Sequence, residues 1–257
     1  MEIKDKMYHI NLSKADIKGA KYAILPGDPG RVLSIAKYLE NAEKISQNRE
    51  YTAYLGELKG EKVLVISTGI GGPSTAICVE ELALIGITHL IRVGTSGGMQ
   101  ENVCAGDLVV AQGAIRQEGT SKEYLPVEFP AVADIDVIIA LREAARELEL
   151  TCHTGVVQCK DSFYGQHDPE RMPVSYELIN KWNAWIKGGA LCSEMETSAL
   201  YTVSSMLGLH AGAVLLVVWN QERERLGLSN EQVLDTDMAI KVAVKALEKI
   251  IEKRLSN

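Results

Sequence analysis

Apolar positions along the chain alternate between two rhythms. Short runs rich in Val, Ile, Leu and Ala lie at Tyr22–Leu25, Lys62–Ser67, His89–Val93, Asp107–Ala111, His153–Gln158 and Ala213–Val218. They are apolar on both faces, and each predicts a buried strand. Between and after them, helical spacing predicts helices over Arg31–Leu39, Ser74–Ile85, Asp134–Leu148, Glu177–Ile186, Glu194–Leu207 and Ser229–Leu255. In the last of these, Ile240, Ala243, Val244, Leu247, Ile250 and Ile251 form one stripe, while Lys241, Lys245, Glu248 and Lys249 take the other face, as in a docked amphipathic helix. Strands buried on both faces and separated by helices imply the α/β class. The expected architecture is a three-layer α/β/α single domain, residues 1–257, around a mixed, largely parallel sheet. No repeat, low-complexity tract or hinge-like linker divides the chain.

Composition narrows the function. The 257 residues are 46% hydrophobic and 24% charged, which excludes a disordered chain. The longest apolar stretch, Ala213–Trp219, is far short of the roughly 20 residues that span a bilayer. Met1–Lys6 carries no signal-peptide pattern, so the expectation is a soluble, cytoplasmic protein. A net charge of −7 argues against nucleic-acid or membrane partners. The five cysteines form no C-x-x-C pair, and the five histidines never approach H-x-x-x-H spacing. Neither a structural zinc nor a thiol nucleophile is expected.

In such sheets ligands collect at the carboxyl ends of the strands. After the first strand, Pro26-Gly27-Asp28-Pro29-Gly30-Arg31 offers a helix cap, an open backbone and a cation, which is an anion-binding design or a well-capped turn. Thr68-Gly69-Ile70-Gly71-Gly72-Pro73-Ser74 begs comparison with a dinucleotide fingerprint but has no acidic residue after the next strand, so a Rossmann cofactor site is rejected. Arg92 stands inside an apolar strand and must meet a carboxylate or a bound anion; Thr95 follows among glycines. Phe163, Tyr164 and Gln166 could stack on a flat ring and read its edge, or fill a core. Ser193-x-x-Glu196 has the spacing of a capping box, a sufficient structural role for Glu196 beside that of holding sugar hydroxyls. Asn220-Gln221 ends the last strand with amides and no carboxylate.

Gly27-Asp28-Pro29-x-Arg31, the Ser67–Ser74 loop, Arg92-x-Gly94-Thr95, Asp161-x-Phe163-Tyr164 and Glu194-Met195-Glu196, in this order, resemble the hexameric nucleoside phosphorylase family, and within it the uridine-cleaving branch. The resemblance runs from His9 to the C-terminal helix. It implies a phosphate site of Gly27, Arg31, Arg92 and Thr95, with Arg49 from a neighbouring subunit. Thr95, Met195 and Glu196 would hold the ribose together with the neighbour's His9, while Phe163 and Gln166 would bind the base. Arg92, Glu196 and Gln166 are then the catalytic candidates. It further implies a homo-oligomer, a hexamer built from dimers with shared sites, and in some members a monovalent cation such as potassium near Glu50, Ile70 and Ser74. Phosphate is a co-substrate and no cofactor is required. The reaction implied is reversible phosphorolysis of uridine to uracil and ribose 1-phosphate, a pentosyltransferase activity of pyrimidine salvage. Alternatives on the same scaffold are a purine nucleoside phosphorylase, a nucleosidase using water, and a non-catalytic nucleoside-binding protein. Purine-cleaving relatives carry an aspartate just after the last strand, where this chain has Asn220-Gln221. Two arginines of the uridine-cleaving pattern fall on Asp168 and Gln221, and Arg171 is the candidate substitute.

Overall fold

The computed structural model describes residues 6–255; all but the last residue of the Met1–Lys6 segment lies outside them. In chain order the elements are β1 (Tyr22–Pro26), α1 (Val32–Ala36), β2 (Glu40–Asn48), β3 (Tyr51–Leu58), β4 (Glu61–Ile66), α2 (Gly72–Ile85), β5 (His89–Gly98), β6 (Leu108–Gln117), α3 (Thr120–Tyr124), β7 (Ala131–Val132), α4 (Ile135–Glu147), β8 (Cys152–Lys160), α5 (Phe163–His167), α6 (Ser175–Lys187), β9 (Cys192–Glu194), α7 (Thr197–Leu207), β10 (His210–Asn220), α8 (Gln221–Arg225) and α9 (Asp237–Leu255). Single helical turns at Pro29–Arg31 and Pro169–Arg171 precede α1 and α6.

Among the described residues, ten strands form one mixed sheet. At its centre β1 runs parallel to both β4 and β5, and β10 runs parallel to β5. One core layer buries Val79 and Leu82 of α2 and Leu200 and Tyr201 of α7. The opposite layer buries Val32 and Ile35 of α1, Val137 and Leu141 of α4, and Ile240, Ala243, Leu247 and Ile251 of α9. Helices therefore cover both faces, the α/β arrangement that the strand pattern requires, and the apolar stripe of α9 docks as its spacing indicates.

The sheet also does something the periodicity does not announce. β5 pairs β10, β10 pairs β6, β6 pairs β8, β8 pairs β9, and β9 returns to β5. Five strands thus close into a ring, with β1, β4, β3 and β2 extending from it as an open wing. Ring closure requires bending. The β5–β10 register shifts between Val217 and Trp219, and a bulge of this kind re-aims the side chains on either side of it.

The structure departs from the expected elements in several places. The hairpin β2–β3 has no counterpart among the expected strands, because β2 is a polar edge strand with little apolar alternation, a common protection against unwanted pairing. The helix expected from Glu194 starts at Thr197, since Glu194 belongs to β9. The helix expected from Ser229 starts at Asp237. The chain before it is clipped to the end of β10 instead: Asn220 N–H donates to Asn230 Oδ1 at 3.0 Å, and Asn230 Nδ2 donates to Asn220 O at 2.9 Å.

Candidate active site

The carboxyl ends of β1, β5, β8 and β10 open onto a cavity of 1060 Å³. Gly27, Arg31, Glu50, Ile70, Ser74, Arg92, Thr95, Phe163, Met195 and Glu196 all line it. These residues are scattered over 170 positions of sequence and meet because their strands end at one rim.

The phosphate-loop candidate folds as its sequence dictates. Asp28 accepts the Gly30 N–H at 2.8 Å with Pro29 first in the turn. That places Arg31, half-buried, on the cavity wall. Burial pulls its guanidinium below the ordinary value; Asp28 and Glu196 act against that, and Arg92 adds to it.

Arg92 is 4% exposed. Its Nη2 hydrogen-bonds Glu196, and its Nε lies 3.5 Å from Glu194 Oε2. Burial works against the charge, but Glu196 and Glu194 outweigh it and hold the guanidinium above its ordinary value. The carboxylates do not satisfy it fully. Nε and Nη1 have no hydrogen-bond partner among the described residues, and a buried N–H without a partner costs about 1–3 kcal/mol. An anion in the cavity would remove that cost. Gly94 makes the arrangement possible, because a Cβ there would meet Leu215 Cδ2 at 2.7 Å and Arg92 Nη2 at 3.0 Å.

Glu196 is not the capping-box residue its spacing suggests. The start of α7 is capped by Glu194, whose carboxylate accepts the Glu196 N–H at 2.9 Å and the Thr197 N–H at 3.0 Å. Ser193 points elsewhere, into a polar cluster. Glu196 is left free to face the cavity, where its Oε1 accepts the Gly71 N–H at 2.6 Å and its Oε2 meets Arg92. Gly71 has φ 89°, the left-handed region glycine tolerates, which turns that N–H toward the carboxylate. Burial pushes the Glu196 carboxyl up, and Arg92 pulls against it.

At the far end Phe163, His167 and Trp219 form an aromatic wall, with ring centroids 4.3 Å (Phe163–His167) and 6.3 Å (His167–Trp219) apart. Burial, and then Lys160, lower the His167 pKa. Trp219 reaches this wall through the bulge, which puts it and Val218 on the cavity together. Asn220 is fully buried and committed to backbone, accepting from Glu222 and Arg223 N–H and donating to Gln100 O and Val103 O. It caps α8 and does not face a ligand.

Four expected site residues lie outside this cavity. Gln166 lines an adjoining space of 200 Å³, with its Oε1 2.6 Å from Ser193 Oγ. Arg171 is exposed, pairs with Asp168 at 3.1 Å and sits 5.9 Å from the Tyr164 ring centroid. His9 and Arg49 sit together on the surface. The Glu81 carboxylate takes the His9 ring at 2.7 Å, Asn48 Nδ2 donates to His9 O at 2.7 Å, and Arg49 covers Tyr8. Both lie near Glu50, whose carboxyl is held below the ordinary range by its own N–H, Ser74, Arg49 and His9. Around the cation candidates, Ser74 Oγ donates to Glu50 at 2.8 Å and Ile70 is 76% exposed. No group of three or more His, Cys, Asp or Glu suited to a metal occurs among the described residues.

Sequence reasoning passed over Lys160, Ser193 and Glu194 as site residues, although all three line the cavity. Their signals are a lysine closing an apolar strand and, for Glu194, its place in the Glu194-Met195-Glu196 motif.

Comparison with known proteins agrees with this geometry. A profile of the Phosphorylase superfamily matches residues 21–253. Over 247 residues the chain is 54% identical to a uridine phosphorylase of Treponema pallidum (strain Nichols), covering 96% of this chain and 95% of that protein. It is 38% identical over 251 residues to a uridine phosphorylase of Escherichia coli (strain K12), covering 96% and 99%. It is also 38% identical over 232 residues to a guanosine phosphorylase of Halorubrum lacusprofundi, covering 90% and 89%. With a matched profile from the first strand to the last helix, and a strand-end cavity built from the resembling motifs, the chain belongs to the phosphorylase superfamily.

Proposed function

We propose that the protein is a uridine phosphorylase, transferring the ribosyl group of uridine to inorganic phosphate. The observation that carries this is Arg92, buried and paired to Glu196, with its Nη1 unpartnered beside the Gly27 loop. The 54% identity to a uridine phosphorylase, against 38% to a guanosine phosphorylase, supports the pyrimidine.

In this reading Gly27, Arg31, Arg92 and Thr95 hold phosphate beneath the sugar, and Arg49 of a neighbouring subunit completes the charge. Glu196 and Met195, with a neighbour's His9, hold the ribose hydroxyls and face. Phosphate attacks the anomeric carbon as the base leaves, so the protein supplies position and field rather than a covalent nucleophile. Glu196 carries negative charge close to the sugar carbon that turns positive. Phe163 stacks on the base and Gln166 reads its edge. Arg171, tied to Asp168 outside the cavity, has no part in this reading.

The placement of His9 and Arg49 beside each other, outside their own subunit's cavity, supports a paired assembly with shared sites, and a hexamer built from such pairs. A potassium ion held by Glu50, Ser74 and the Ile70 carbonyl of two subunits fits the exposure of Ile70. A cytoplasmic setting fits the five free cysteines; no helix among the described residues is long and apolar enough to cross a membrane. The test is a panel of uridine, inosine and guanosine, each with and without phosphate, read by release of free base. Uracil release that requires phosphate is expected. Hydrolysis without phosphate, or preference for a purine, overturns the assignment.

A further inference from the structure

The chain has three tryptophans, and two of them are tied into the fold by their indole N–H. Trp182 donates to Glu222 Oε1 at 2.8 Å and Trp185 to Gln117 Oε1 at 2.9 Å. Trp219 has no hydrogen-bond partner among the described residues; its indole stands on the large cavity instead. A regular strand would send Val218 and Trp219 to opposite faces. The register shift between Val217 and Trp219 breaks that alternation, and both side chains line the cavity.

The wall so formed is fixed from behind. Trp219 pairs with Gly97 of β5 and Asn220 with Gly98. A Cβ at Gly98 would meet Asn220 Nδ2 at 2.5 Å, so the two strands pack there without slack. The Asn220 side chain is buried and donates to Gln100 O at 2.8 Å and Val103 O at 2.7 Å. The backbone beneath the indole cannot withdraw without breaking these bonds.

Polar and apolar linings part company around the base. Gln166 belongs to the adjoining space, where its Oε1 lies 2.6 Å from Ser193 Oγ, which also accepts from Lys160 Nζ at 2.5 Å. Phe163, His167, Val218 and Trp219 line the large cavity but not that space. Uracil has one edge of carbonyls and N3–H, and an opposite edge of C5–H and C6–H. With the polar edge turned to Gln166, the C5–C6 edge faces Val218 and Trp219.

We propose that Trp219 closes the cavity against a substituent at C5 of the pyrimidine, so that the enzyme takes uridine and discriminates against 5-methyluridine. The inference deepens the reading of the chain as a uridine phosphorylase and rests on it. A hydrogen at C5 meets the indole in ordinary contact. A methyl there must displace a large, rigid side chain whose backbone is pinned on the β5 side, and such overpacking is resisted.

The test measures kcat/KM for uridine and 5-methyluridine, which share one sugar, in the parent enzyme and in Trp219→Val. One methyl group in an apolar pocket is worth about 10- to 200-fold in kcat/KM. The parent should prefer uridine by at least about tenfold, and Trp219→Val should reduce that preference by about tenfold or more. Any effect of the methyl group on leaving ability, and any general loss of activity in the variant, cancels in this comparison of ratios. A smaller preference in the parent overturns the proposal, and so does a smaller change of the ratio in the variant, which is the result expected of a tryptophan that merely fills space. Should Trp219→Val not fold, Trp219→Phe shortens the same wall and is read in the same way. If the parent releases no uracil from uridine with phosphate, the functional reading fails; if it does release uracil and either ratio goes against Trp219, only this inference fails.

Discussion

Glu196 shows how one residue can satisfy a local pattern and serve another end. Its spacing from Ser193 is that of a cap, but Glu194 does the capping and Glu196 faces Arg92 and the Gly71 N–H. Changing Glu196 to Gln keeps the shape and removes the charge near the sugar. We expect kcat/KM for uridine to fall about 100-fold, or roughly 2.7 kcal/mol of transition-state stabilisation, with a smaller change in melting temperature. A large drop in stability with little loss of activity would return Glu196 to a structural role. Arg92 behaves differently, because it is also the partner of a buried carboxylate. Arg92→Ala should raise the phosphate KM steeply and also lower stability by about 3–5 kcal/mol, since it strands Glu196 in the interior. Steady-state kinetics over a phosphate series, with denaturant melts of the same variant, checks both halves.

At the scale of elements, the site depends on strand ends that admit almost no extra volume. Gly94→Ala would put a methyl 2.7 Å from Leu215 and 3.0 Å from the Arg92 guanidinium, an overpacking of the sort that costs about 1–3 kcal/mol. The expected outcome is a displaced Arg92 and a raised phosphate KM; unchanged phosphate dependence would mean that β5 yields without moving the guanidinium. The opposite ends of β5 and β10 carry an acid-sensitive pair. His89 stacks on His210 at 4.5 Å, and burial, His210 and Arg254 hold its pKa down to about 4, opposed by Asp134. Folding therefore favours neutral His89. The stability this contributes is complete above the ordinary imidazole pKa of about 6.5 and is lost as pH falls toward 4. Urea melts of His89→Gln between pH 4 and 7 should show a flatter acid side than those of the parent.

Much of this scale was legible beforehand. A charged Arg92 in an apolar run and the glycines after each strand mark the rim, because burial makes such residues expensive without a purpose. Lys160 and Ser193 were not legible as a pair, since their meeting depends on β8 lying beside the three-residue β9, which carries no periodicity. The Asn220–Asn230 clip was hidden for a related reason: it joins the end of a strand to a polar residue in a segment that otherwise reads as helix.

For the whole molecule, a shared site can be tested without a structure of the assembly. If Arg49 serves its neighbour, a pair formed from an Arg49→Ala subunit and an Arg92→Ala subunit contains one intact site and one doubly defective one. Random reassociation of equal amounts should recover about a quarter of the parent sites, although each variant alone is nearly inactive. No recovery would place Arg49 within its own subunit's site. The closed circuit of β5, β10, β6, β8 and β9 bears on how substrates come and go. A circuit has no free margin from which to fray, so the amides beneath the pocket should be among the slowest in the protein to exchange with deuterium. Nucleoside entry and base departure must then fall to the segments above, the Phe163–Arg171 stretch and the chain anchored through Asn230, which hydrogen exchange should find opening long before the floor.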